Sequence, residues 1–157
     1  MKKILAIIVF TFFIVSSYSQ KPKKADNGFY YDENSKLFNG SYKEYIDEDS
    51  SSLKRNLHFK DGLLEGISKI YHPNGNIKEV RSYKKGKKHG TWITYSADGS
   101  KTAIANYANG KKNGIWHIWD ENGTLRYEMQ YLDGEKTGTW SMYNKKGKLL
   151  SQENHQE

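Results

Sequence analysis

Trp116 and Trp119 stand three residues apart with His117 between them, inside the stretch KKNGIWHIWDENGT, Lys111 to Thr124. Two indoles beside an imidazole, with lysines before and carboxylates after, have the makings of a ligand platform or a proton-transfer site. Either use needs groups that converge. The five histidines are His58, His72, His89, His117 and His155. None forms a His-x-x-x-His pair or a His-Glu-x-x-His motif, so a metal centre has no ligand pattern to stand on. Cysteine is absent, which excludes thiolate metal sites, cysteine nucleophiles, disulfides and a lipidated cysteine. Asp98, Asp120, Glu121, Asp133 and Glu135 are scattered among turn residues rather than paired for acid–base work. Asp47-Glu48-Asp49 is the densest acidic cluster. It lacks the glycine and terminal glutamate of a calcium loop and reads as a solvated insertion. No Gly-x-Ser-x-Gly elbow or phosphate-cradling glycine loop occurs. The chain therefore reads as a non-enzyme, with no catalytic, metal or cofactor residues.

The elements that position Trp116 and Trp119 come from a period. Gly66, Gly90, Gly114 and Gly138 follow one another at 24 residues. Five residues after each stands Tyr71, Tyr95, Trp119 or Tyr143, and nine after stands Gly75, Gly99, Gly123 or Gly147. Seventeen after come Tyr83, Tyr107 and Tyr131; twenty after come Gly86, Gly110 and Gly134. An earlier unit opens at Gly40 and carries two extra residues, placed within Asp47 to Ser52. Asn74-Gly75, Asp98-Gly99 and Asn122-Gly123 are pairs that adopt the positive φ of tight hairpin turns. Asp61-Gly62, Asn109-Gly110 and Asp133-Gly134 mark a second turn in successive units. The runs between are rich in Trp, Tyr, Ile and Thr, a strand composition. Each unit is thus two antiparallel strands, and the expected fold is all-β. It is an elongated antiparallel meander of repeated β-hairpins in a single twisted or curled sheet, about nine or ten strands long.

Taking Asp98-Gly99 as a two-residue loop predicts that Trp92 faces Ala105, Trp116 faces Met129 and Ile118 faces Tyr127. Leu125 and Tyr131 fall on that same apolar face, which reads as the core. The residues Trp92, Trp116, Trp140, Tyr83, Tyr107 and Tyr131 are its structural positions. The tryptophans repeat two strands apart, roughly 9–10 Å, so Ala105 and Met129 are expected to fill the gaps. The other face carries Tyr95, Trp119 and Tyr143, with Trp119 opposite Arg126 and Tyr71 opposite Lys78 in cation–π pairs. His117 lies beside Trp119, and Trp119, His117, Tyr95 and Tyr143 form the candidate binding face.

Composition agrees with a repeat sheet: 36% of the 157 residues are hydrophobic but 14% are aromatic, with 14 glycines against 2 prolines. The first nineteen residues differ. Lys2 and Lys3 precede the apolar run Ile4 to Val15, followed by Ser16, Ser17, Tyr18 and Ser19. This is the pattern of a cleavable secretory signal, the run being short of the ~20 residues that span a bilayer. The expected organisation is a signal peptide at 1–19, a lead-in and partial repeat at 20–39, and the array at 40–157. Its units start near 40, 66, 90, 114 and 138. The mature chain is expected in the periplasm, at the cell surface or secreted, and not as a transmembrane protein. Removing Lys2 and Lys3 leaves 23 basic against 18 acidic residues. Export disfavours nucleic acid, leaving a protein, an anionic envelope polymer or a lipid surface as partner. The links between hairpins hold Lys84, Lys85, Lys87, Lys88, Lys111 and Lys112, a basic rim opposite a neutral-to-acidic one. His89 shares its link position with Glu65, Asn113 and Thr137, a variability that suits a solvated turn.

The units GKKHGTWITYSADG, GKKNGIWHIWDENG and GEKTGTWSMYNKKG resemble the variant MORN repeat: a glycine, a short basic link, Gly-x-Trp-x-x-Tyr, then Asn-Gly. The resemblance runs from about Gly28 to Leu150. Many bacterial proteins with this repeat are named YwqK-type antitoxins, which implies protein binding without catalysis. The expected function is an exported scaffold that binds another protein, by antitoxin-like neutralisation or an envelope-associated interaction. Glycan or envelope-polymer binding through exposed aromatics is the alternative.

Overall fold

The computed structural model describes residues 21–47, 49 and 51–155. The export signal expected at 1–19 lies outside the described residues. Among those described there is no helix. Ten long strands run β1 (Gly40–Tyr45), β2 (Leu53–Lys60), β3 (Gly66–Tyr71), β4 (Ile77–Lys84) and β5 (Gly90–Tyr95). They continue as β6 (Lys101–Ala108), β7 (Gly114–Trp119), β8 (Leu125–Leu132), β9 (Glu135–Tyr143) and β10 (Leu149–His155). All lie in one 13-stranded sheet whose spatial order is the chain order, with β1 and β10 at its ends. The three remaining members are two-residue strands in the links, Leu63–Leu64, Lys87–Lys88 and Lys111–Lys112. The sheet does not close into a barrel.

Two turn types alternate, and the backbone corrects which is which. In the links, both central residues take positive φ: Asp61 and Gly62 (51° and 73°), Lys85 and Gly86 (49° and 76°), Asn109 and Gly110 (51° and 92°), Asp133 and Gly134 (48° and 99°). These are the two-residue type I′ hairpins, closed by pairs such as Lys84 with Lys87 and Ala108 with Lys111. At the opposite rim only the glycine is left-handed. There His72, Ser96, Asp120 and Asn144 each accept the N–H of the glycine three residues on, at 2.9–3.0 Å. Each also donates to the carbonyl four residues on, at 2.8–3.0 Å. This is the longer turn with a glycine bulge, and the ladder slips by one residue beside it.

The slip decides which expected pairs survive. Within the hairpins Trp92 faces Ala105, Trp116 faces Met129 and Ile118 faces Tyr127, as the spacing predicts. At the turn end Trp119 faces Leu125 rather than Arg126, and Tyr71 faces Ile77 rather than Lys78. Arg126 is the extra residue of its bulge; its Nε donates to the Tyr143 carbonyl at 2.8 Å and its guanidinium lies 3.5 Å from Asp120.

A backbone seam along the link rim joins unit to unit. The N–H of Gly62 reaches the Phe38 carbonyl at 3.0 Å, and those of Gly86, Gly110 and Gly134 reach Leu64, Lys88 and Lys112 at 2.8 Å. The side chains before the anchor glycines, Asn39, Glu65, His89 and Asn113, accept the N–H of Asp61, Lys85, Asn109 and Asp133. In these four units the position varies in residue but not in role: each of the four side chains supplies an acceptor, which the solvated-turn reading missed.

The tryptophan gaps are filled differently from expectation. Tyrosine rings stand in the gaps between the tryptophans. Tyr83, Trp92, Tyr107, Trp116, Tyr131, Trp140 and His155 stack in one file with centroids 5.0–5.3 Å apart. Ser68 holds the tryptophan position in its unit and is fully buried. On its N-terminal side Phe38, Tyr42 and Phe59 form the most buried apolar cluster, with Tyr30 of the lead-in 4.8 Å from Phe59. No second layer covers the ladder face among the described residues, and Ile118 and Tyr127 on it are exposed.

Candidate binding surfaces

The ladder positions charges as well as rings. Lys88 Nζ lies 4.5 Å from the Trp92 centroid and 4.8 Å from that of Tyr107. Lys112 repeats this over Trp116 and Tyr131 (4.8 and 4.6 Å), and Lys136 lies 4.2 Å over Trp140. The structure therefore divides the basic rim. Lys88 and Lys112 are seated on rings, while Lys84, Lys85, Lys87 and Lys111 are exposed in the links. Burial pushes the Tyr83 and Tyr107 phenols up; Arg81 beside the first and Lys112 beside the second pull the other way without cancelling it.

Toward the opposite rim, the ladder face changes character along the array. Its N-terminal half carries ion pairs: Glu44 with Lys54 at 3.1 Å and with Arg55, and Glu79 with Arg81 at 2.7 Å. Burial alone would raise the Glu44 carboxyl, but hydrogen bonds and charge from Lys54 and Arg55 hold it below its ordinary value. Arg81 also lies 5.2 Å from the Trp92 ring. The C-terminal half is apolar. Ala103, Ile118, Tyr127 and Met142 stand in line across four strands. A shallow hollow of about 330 Å³ opens there between Tyr127, Met129, Trp140 and Met142, with Ser151 and Glu153 on β10.

The reverse face holds the candidate residues Trp119, His117, Tyr95 and Tyr143, all half-buried. Tyr95, Trp119 and Tyr143 occupy equivalent places two strands apart, roughly 9–10 Å, so they form separate stations rather than one stack. Trp119 packs on His117 with centroids 5.4 Å apart. His117 Nε2 lies 2.9 Å from Glu128 Oε2. Glu128 faces Ser141 on the next strand, and Gln152 donates to the Ser141 hydroxyl at 3.3 Å. One unit earlier the same row is Val80, Ile93 and Ile104. These apolar residues separate the His117 cluster from the polar N-terminal end of the row, Lys69, Asn56 and Lys43. His117 and Ser141 are separated by the strand carrying Glu128, so the three do not make a nucleophile–base pair.

Among the described residues no group of three or more His, Asp or Glu side chains is placed to hold a metal. The hollows are open and shallow, at about 220–420 Å³. No helix of the described residues is long and apolar enough to cross a membrane.

His155 escaped sequence reasoning as a ladder residue. It stands seventeen residues after Gly138, where earlier units have tyrosine, and that offset was the available signal. A family model described as the MORN repeat variant matches residues 64–85, 88–109, 112–133 and 136–157. Each match begins two residues before an anchor glycine, and the unit opening at Gly40 falls outside them. No curated protein matches the chain.

Proposed function

Since the chain belongs to the MORN repeat variant family, we propose that it is an exported, non-enzymatic scaffold that binds another protein. Repeats of this family are generally associated with binding and scaffold roles. The observation that carries the reading is the single open sheet: beyond the rung that the lead-in covers, no second layer lies on it among the described residues, and no enclosed hollow among them gathers acid–base groups. A solenoid-like surface of this kind suits an extended partner better than a small molecule. The exposed link lysines favour an acidic partner surface. Antitoxin-like neutralisation is the specific form that the YwqK-type resemblance supports, and it predicts a cognate toxin as partner.

The test is capture of envelope and secreted proteins on residues 20–157, followed by identification. Charge reversal at Lys84, Lys87 and Lys111 leaves the ladder intact, because none of the three sits on a ring. It should weaken capture of the acidic partner and flatten its dependence on salt, because the screened attraction has been removed; unchanged capture would exclude the rim as the contact. A second reading, binding of a glycan or envelope polymer, has one observation in its favour, the cluster of Trp119, His117 and Glu128. It predicts retention on purified envelope polysaccharide that Trp119→Ala abolishes, and equal retention of the variant counts against it.

A further inference from the structure

The joint between one unit and the next recurs with the same chemistry. The carbonyls of Ser82, Asn106 and Gln130, each sixteen residues after an anchor glycine, accept the indole Nε1 of Trp92, Trp116 and Trp140 at 2.8–2.9 Å. The backbone N–H of His89 and of Asn113 reaches the first two carbonyls as well, at 3.0 and 2.9 Å. The ring that follows in sequence, Tyr83, Tyr107 or Tyr131, packs on the same incoming indole. A lysine two residues before the incoming glycine lies over that indole.

In β10, Asn154 and His155 hold these two positions. Asn154 faces Thr139 as Asn106 faces Thr91, and the Asn106 carbonyl points away from Thr91 toward the next unit. By the same register the Asn154 carbonyl points away from β9. His155 packs on Trp140 at 5.2 Å, and its Nε2 is buried without a hydrogen bond, 3.4 Å from Glu153. Among the described residues no strand pairs with the outer side of β10. The strand, LLSQENH, carries no lysine, arginine or proline to guard its edge; its one acidic side chain, Glu153, lies beside His155. The other edge is different. Beside β1 the first aromatic rung of Phe38, Tyr42 and Phe59 is buried, and the Phe38 N–H is taken by the Tyr30 carbonyl at 2.9 Å.

We infer that the outer edge of β10 receives an antiparallel strand of another polypeptide carrying the sequence Lys-x-Gly-x-Trp. The inference rests on the protein-binding reading and names the partner's contact segment. The incoming indole donates to the Asn154 carbonyl and packs on His155, and the lysine covers the indole. Backbone pairing along β10 supplies affinity, and the aromatic rung supplies specificity. The joint ahead of Gly66 pairs without an indole, since Ser68 stands in its place. The tryptophan therefore selects the partner strand rather than being required for strand pairing.

The chain's own segment 134–143, GEKTGTWSMY, has this sequence and serves as a synthetic probe. Titrated into residues 20–157, the peptide should bind saturably and shift the amide signals of residues 150–155. Replacing its tryptophan by alanine should weaken binding about tenfold or more, because the indole hydrogen bond and the ring packing on His155 both disappear. Asn154→Pro in the protein removes an edge N–H that pairs with nothing in the isolated sheet and should abolish binding while leaving the circular dichroism unchanged. Binding that is absent, indifferent to the tryptophan, or mapped to β1 overturns the inference. If a captured partner binds the Asn154→Pro protein as well as the parent, the edge assignment fails while the protein-binding reading stands.

Discussion

A lysine in the left-handed region is the least comfortable residue of the links. Lys85 takes φ 49° where equivalent turns place Asp61, Asn109 and Asp133. Asparagine enters this region readily, whereas a side chain without a local hydrogen-bonding group is strained there by roughly 1–2 kcal/mol. Lys85→Asn is therefore expected to raise stability by about 0.5–1 kcal/mol, a fraction of that strain, measured by urea denaturation. The anchor glycines set the opposite test. Gly114 sits at φ 85°, and an added Cβ would stand 3.4 Å from Asn106 Cβ. Gly114→Ala should cost about 1–2 kcal/mol for the backbone conformation alone. Two carboxylates give a pH dependence. The Ser96 hydroxyl and the Ser100 N–H hold Asp98 below its ordinary value, and Lys54 and Arg55 do the same for Glu44 against the opposing effect of burial. Each binds its proton less readily folded than unfolded. Their contribution is complete above the ordinary carboxylate range of about 4 and disappears as pH falls through the lowered values. Denaturation midpoints measured at descending pH should decline, and Glu44→Gln with Ser96→Ala should flatten that decline.

At the scale of the hairpin, the indole acts as a rivet between neighbouring units. Trp116 meets rings on both sides and donates to Asn106, with Lys112 above it. Trp116→Ala should destabilise by about 2–4 kcal/mol, below the full-core value because the ring is half-exposed. Lys112→Ala removes only the cation and should cost about 0.5–1 kcal/mol. Thermal melts of the two variants side by side measure the ratio. The hairpin interiors were legible in the sequence because strand alternation and the apolar pattern permit one register over most of each pair. The turn ends were not, since Asn-Gly and Asp-Gly pairs occur in both turns and the pair alone does not specify type. The distinguishing signal is three residues before the glycine. His72, Ser96, Asp120 and Asn144 sit there, and the Asp120 and Asn144 carboxylate and amide oxygens accept two backbone N–H groups each. Reading that residue would have placed the bulge and removed the expected Trp119–Arg126 pair. The candidate face was less legible than the ladder: Trp119 and His117 are visible as departures from the repeat, but Glu128 joins them only across a strand pair.

At the scale of the molecule, each long strand among the described residues pairs only with its neighbours in the chain-ordered sheet, so the array behaves as a one-dimensional series of similar joints. Deleting residues 90–113 removes one period and brings Trp116 to the Ser82 carbonyl in place of Trp92. The shortened chain should fold with the same sheet signature in circular dichroism and melt at a lower temperature, whereas collapse to an unfolded chain would mean that a joint outside the repeat chemistry is essential. The joints are not all equal, however. Ser68 leaves the boundary between β2 and β3 without a rivet, while the lead-in gathers Tyr30 onto the cluster ahead of it. Force applied to the two ends should therefore part the sheet there first, leaving the lead-in with β1 and β2 as one piece and β3 to β10 as the other. Single-molecule extension should record two unequal steps. A protein strung between two attachments would then act as a mechanical fuse, yielding at a fixed place before its longer segment gives way.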